Sequence, residues 1–193
     1  LGKIIVAKKK REKILFNAAS ETHAFLSDMY PSPMLINGRI WFSVEQYISY
    51  RKLSEKDAKD KKQKALTSEL RTKILGTLDS FKAKYFASTK AGGFVNPKFK
   101  RGVRITQKAL HAKFTQNPML LYHLMRTGDA ILIEDAPWDD FWGNGKDGKG
   151  ENMKGKLLMQ LRDSLRDVVE PDICSAFAYC TEQAATLGME SKK

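Results

Sequence analysis

Apolar residues along the chain alternate between short strand-like runs and longer stretches at helical spacing. Ile14-Leu15-Phe16 is a compact run suited to a strand. Met34-Leu35-Ile36 and Arg39-Ile40-Trp41 flank Asn37-Gly38, a pair that favours a type I′ turn because both central residues need positive φ, so a β-hairpin is predicted. Ser43 with Gln46 makes a capping-box pattern that opens a helix over Val44 to Leu53. From Ser54 to Leu75 the sequence is Lys-rich with widely spaced Ala and Leu, which predicts an exposed helix or helix pair ending at Gly76. Leu78 to Phe86 reads as a short helix and Thr89 to Pro97 as loop.

Ile105, Leu110 and Phe114 mark a helix bounded by Asn117-Pro118, and Met119 to Arg126 restarts one that ends at Gly128. Ala130 to Glu134 is a predicted strand. The segment from Asp135 to Glu151 is polar and glycine-rich between core elements, the kind of loop in which function concentrates. Met153, Leu157, Leu158, Leu161 and Leu165 then repeat at helical spacing, and after Pro171 a last helix is predicted to run to Leu187. The fold expected is α+β and mainly helical, in one domain over 14–168, with a basic leader over 1–13 and a C-terminal helical extension over 169–193.

Charge changes the picture more than length does. Lys and Arg number 34 against 22 Asp and Glu, a formal net charge of +12 that attracts phosphates or acidic membranes. No apolar stretch is long enough to cross a bilayer, and Ile4 to Ala7 ahead of Lys8 to Lys13 reverses the order of a secretory signal, so an intracellular protein, cytoplasmic or nuclear, is expected. Cys174 and Cys180 are read as free thiols, and His23, His111 and His123 lack partners at metal-ligand spacing. Neither a metal nor a cofactor is called for.

The candidate chemistry lies in two places. Trp142 beside Gly143 and Gly145, continuing through Lys149 to Asn152 and a helix, combines a flat stacking surface with glycines and a helix N-terminus that suit an anion. That pattern lacks the spacing of a Walker loop, and a flexible surface loop reads nearly as well. Glu45 and Lys52 are seven residues apart, two helical turns, and so share one helix face. Glu45 in the first turn is expected ionised because the helix dipole favours its charge.

In order along the chain stand Phe25-Leu26-Ser27 with Tyr30-Pro31-Ser32-Pro33, Gly38, Trp41 and Ser43-Val44-Glu45-Gln46-Tyr47 with Lys52. Ala109-Leu110, Lys113-Phe114, Asn117, Leu124, Thr127-Gly128 and Ile133-Glu134 follow. Asp139, Trp142-Gly143, Gly145, Gly150, Asn152, Gly155, Leu157-Leu158-Met159 and Arg162 complete the set. This series resembles the NADAR family of YbiA-like proteins over roughly Leu15 to Val168.

The resemblance implies a helical α+β fold around one nucleotide pocket and N-glycosidase activity. It implies two kinds of substrate: ribosylamino-pyrimidine phosphates of the early riboflavin pathway, or ADP-ribose attached to guanine in DNA or RNA. Asp28 stands where the family usually has Asn, and a tryptophan expected between Asn96 and Arg104 is missing, with Lys98 or Phe99 nearby. That absence disfavours the riboflavin-type substrate.

Glu45 and Asp139 are the candidate carboxylates for an oxocarbenium-like transition state. Each could also be a capping residue. Lys52 could bind phosphate or form a Schiff base with the opened sugar, or simply be solvated. Ser27, Asp28, Trp142, Gly143, Gly145, Lys149, Asn152 and Arg162 are candidate substrate contacts, Arg162 either holding the glycine loop or binding phosphate. A non-catalytic ADP-ribose or NAD-binding module and a basic nucleic-acid-binding protein are the alternatives.

Overall fold

The computed structural model describes residues 11–56, 58–95, 99 and 102–190. Residues 1–10, most of the basic leader, and Lys98 lie outside the described residues. Strand β1 (Lys13–Phe16) pairs in parallel with β4 (Ile131–Glu134), in the register Phe16 to Glu134. Strands β2 (Met34–Ile36) and β3 (Arg39–Trp41) form the hairpin, with Asn37 at φ 52° and Gly38 at φ 73° as a type I′ turn demands. Gln116 binds both the N–H and the C=O of Leu35, at 2.7 and 3.0 Å, which satisfies the outer edge of β2.

Helix α1 (Val44–Lys52) starts as the sequence predicts, Ser43 Oγ accepting from Gln46 N at 3.1 Å. The reciprocal arm of the box is shifted by one residue. Gln46 Oε1 accepts from Phe42 N, and its Nε2 donates to Ile74 O and Thr77 O, which ties α1 to the segment around Gly76. The Lys-rich stretch becomes helical later than expected: α2 (Lys61–Leu75) begins where Asp60 caps Gln63 N. Its Leu70 and Ile74 pack with Leu53, Ala83 and Ala87 of α1's end and of α3 (Ser80–Phe86), a small second core.

The main core lies between α4 (Val103–Thr115), α5 (Pro118–Arg126), α6 (Met153–Leu165) and the two small sheets. Trp41, Leu157 and Leu158 are buried there, and Met159 packs against it. Helix α7 (Ile173–Glu190) extends three residues past the expected end and places Ala176 and Cys180 in the same core, so the C-terminal segment is packed onto the domain. Cys174 and Cys180 are free. Among the described residues no helix is long and apolar enough to cross a membrane.

Candidate active site

A cavity of about 370 Å³ opens where the C-terminal end of β4, the face of α1, α3 and the start of α6 converge. Glu45, Ile48, Ser49 and Lys52 all line it, the i, i+3, i+4, i+7 face of α1, so the shared orientation expected of Glu45 and Lys52 is observed. Ser27, Asp28, Asp139 and Trp142 line it as well. Phe99 is on its wall, putting an aromatic ring in the region where the expected tryptophan is missing.

The glycine loop does something other than cradle an anion. Gly143 lies so close to Ala136 that a Cβ would come within 2.5 Å of the alanine's own, and Gly145 adopts φ 64°, where a side chain is strained. The backbone N–H groups are consumed by the loop itself: Gly143 donates to Asp139 O, Asn144 to Glu134 O, and Asn152 to Gly143 O. Met153 and Lys154, in the first turn of α6, donate to Phe141 O and Trp142 O. Those three N–H groups of the helix N-terminus, on Asn152, Met153 and Lys154, are spent on the loop and are not offered to an anion. Asn152, at φ 49°, spends its side chain on Leu132 O and Glu134 N, and thereby clamps the loop to β4.

Lys149 is exposed on the loop and outside the cavity lining; the buried Gly143 and Gly145 and the half-buried Asn152 do not line the cavity either. Arg162 is buried among core residues and donates to Thr127 Oγ1 at 2.8 Å, so it neither reaches the cavity nor holds the glycine loop. The cations available to a phosphate are instead Lys52 and Lys84.

Three residues that carry the electrostatics went unassigned in the sequence. Lys154, on α6, is buried, ion-paired with Asp28 Oδ2, and has its ammonium 4.8 Å from the centre of the Trp142 ring. Lys113, fully buried on α4, donates to Ser27 O at 2.7 Å, and burial drives its amine down to about 7. Asp28 is thus the counter-ion held between two buried amines, and its Oδ1 accepts no hydrogen bond from the described residues. Glu134, at the end of β4, is the third. Burial pushes its carboxyl up to about 7, with Asp28 and Asp139 adding to the rise and Lys154 and Lys84 opposing it.

Glu45 also departs from expectation. Burial raises its pKa against the pull of Lys84, outweighing the helix dipole invoked for it, while Ser49 Oγ donates to its Oε1 at 2.7 Å. Asp139 has one oxygen committed to the loop, Oδ1 accepting from Phe141 N and Trp142 N at 3.0 and 2.8 Å. The capping role is real, and the residue still lines the cavity. Burial raises both Glu45 and Glu134, so the cavity holds two carboxyls that keep their protons to higher pH than exposed ones do.

Comparison with known proteins then decides the family. The model of the NADAR domain matches residues 8–166. The chain belongs to the NADAR family. A riboflavin biosynthesis protein of Vibrio vulnificus is 29% identical over 81% of this NADAR chain, which spans 39% of that protein's length. The N-glycosidase YbiA of Escherichia coli is 27% identical over 79% of the chain and 88% of its own length. The NMR structure of E. coli YbiA matches the fold with a TM-score of 0.65 at 27% identity, covering 84% of this chain and 89% of that one.

Proposed function

We propose that this NADAR domain is an N-glycosidase that hydrolyses the bond between a ribose anomeric carbon and a base nitrogen, and that its substrate is ADP-ribose attached to guanine in nucleic acid. The observation that carries the first part is the carboxyl cluster: Glu134, held near pH 7, stands in one cavity with Glu45 and Asp139. Cleavage of an N-glycosidic bond needs a proton for the departing base and negative charge beside the developing oxocarbenium ion. Glu134 gives the proton to the base. The free oxygen of Asp139, with Glu45, stabilises positive charge at the anomeric carbon. Water adds to that carbon, and its proton passes to a carboxylate of the cluster.

Lys52 and Lys84 receive phosphate, and Trp142 supports the ribose or base against its ring. In a covalent variant of this reading, the Lys52 amine, its proton passed to a carboxylate of the cluster, adds to the anomeric carbon as the bond to the protonated base breaks; the ring opens to a Schiff base, and water hydrolyses it to return the amine and free sugar. The relatives named as N-glycosidases support the reaction type. The polymer-borne substrate rests on the net charge of +12 and on the exposed lysines of α2, which attract a polyanion more than a single phosphate. A second substrate, a ribosylamino-pyrimidine phosphate, is favoured by the relative named for riboflavin biosynthesis and by the ring of Phe99 on the cavity wall.

The test is hydrolysis of an oligonucleotide carrying ADP-ribosyl-guanine, the matching modified mononucleotide and the pyrimidine phosphate, with released sugar quantified by mass spectrometry over a salt series. Release of ADP-ribose, with a steep salt penalty for the oligonucleotide alone, is expected. Preferred cleavage of the pyrimidine phosphate selects the second substrate, and tight binding of ADP-ribose with no cleavage of any of the three would refute catalysis.

A further inference from the structure

At about 370 Å³ the cavity is near the small end of ligand pockets, so an ADP-ribosylated base within a polymer projects beyond it. The rim that meets the projection is aromatic. Trp138, on the turn between β4 and the glycine loop, is 81% exposed, and Phe81, in the first turn of α3, is 64% exposed. Both also line the cavity, which places them at its mouth. Neither ring stacks on another side chain among the described residues. Tyr85 follows Phe81 by four residues on the same face of α3, also exposed. The cations beside these rings are Lys82 and Lys84 on the same helix, while the nearby Asp79 is occupied in capping Phe81 N and Lys82 N.

Large apolar side chains left in solvent at the mouth of a polar site are informative in a way that scattered ones are not. Aromatic rings interleaved with lysines match one ligand chemistry closely: bases presented on a phosphate backbone. We propose that Trp138 and Phe81 form a stacking subsite for the base next to the modified nucleotide in a single-stranded nucleic acid. A base in a duplex is already stacked on its neighbours and has no free face to offer, so the subsite selects unpaired strands. This rests on reading the cavity as a nucleotide site and adds the strandedness of the substrate.

The experiment is fluorescence anisotropy with an unmodified, labelled twelve-residue thymidine strand, the same strand in a duplex, and a twelve-residue abasic strand with equal phosphates. Trp138→Ala and Phe81→Ala should each weaken binding of the thymidine strand about tenfold, within the worth of one base–aromatic stack. The salt slope should not change, because no charge is lost. Trp138→Phe should retain most of the affinity, and a thermal melt checks that each variant is folded. Wild type should bind the abasic strand at least about tenfold more weakly, with no further loss in Trp138→Ala. Equal binding of thymidine and abasic strands, equal binding of duplex and single strand, or wild-type affinity in both alanine variants overturns the proposal. Hydrolysis of the modified mononucleotide by the same wild-type preparation separates the two ideas. Turnover with unaltered binding in the variants sinks the stacking subsite alone, and base-dependent binding without turnover sinks the hydrolase reading alone.

Discussion

Replacing Glu134 by glutamine should make the protein more stable at pH 8 and abolish most of its activity. The folded state holds the Glu134 proton up to about pH 7, whereas the unfolded chain releases it near 4.5. Between those values the folded state binds more protons than the unfolded one, so stability from this group is full below about pH 4.5 and is lost as pH rises to about 7. At about 1.4 kcal/mol per pH unit the loss amounts to about 3 kcal/mol. Glutamine does not titrate and escapes it. The stability of Glu134→Gln relative to wild type should therefore rise by about 3 kcal/mol between pH 4.5 and pH 8, or about 6–12 °C in Tm for a domain of this size. Urea unfolding of both proteins at pH 4.5, 6 and 8 measures the difference. Turnover at pH 6 should fall by about two to four orders of magnitude, the usual worth of a general acid, while wild-type turnover falls above pH 7 as the donor loses its proton. A stability difference that stays flat with pH refutes the burial argument, and undiminished turnover in the variant refutes the assignment of the proton donor.

Glu45→Ala should lower turnover by about two to three orders of magnitude with the fold intact, checked by circular dichroism; near-normal rates would remove Glu45 from the reaction. If Lys52 acts covalently, borohydride added during turnover should trap a sugar adduct on it, detectable by peptide mass spectrometry; active enzyme with no adduct leaves Lys52 as a phosphate contact. Asp28→Ala should cost about 3–5 kcal/mol, because it strands the buried Lys154 ammonium without its partner. Adding Lys154→Met should recover part of that in a thermal melt, and a double variant less stable than the single one would contradict the pairing.

What could be read in the sequence was what adjacent residues decide. Asn37-Gly38 dictates its own turn, Ser43 caps its own helix, and the spacing of Glu45 and Lys52 places them on one face. Trp142 stood out as an indole in a glycine loop, and resemblance to a family supplied Asp139. The unassigned residues depend on partners far along the chain. Lys154 looks like an ordinary helical lysine until Asp28, 126 residues earlier, is brought against it. Lys113 offered a signal, since it lies next to Phe114 and one turn from Leu110 on an apolar stripe where a lysine is costly. Glu134 stood in the family series, but nothing local to the end of an apolar strand shows that its carboxyl is buried. The anion cradle failed for a related reason: spacing reveals where N–H groups are, but not that carbonyls of the same loop have already taken them.

The parallel pairing of β1 with β4 governs how the cavity comes into being. Glu134 is in register with Phe16, and Asp135 N donates to Phe16 O, so the strand that carries Glu134 into the cavity is aligned by a segment more than a hundred residues earlier in the chain. More than a hundred residues must leave the ribosome before β1 meets its partner, and α6, which delivers Lys154, comes later still. Closing so long a loop early is entropically slow. Until that loop closes, Glu134 and Lys154 lack the alignment that brings them into one cavity.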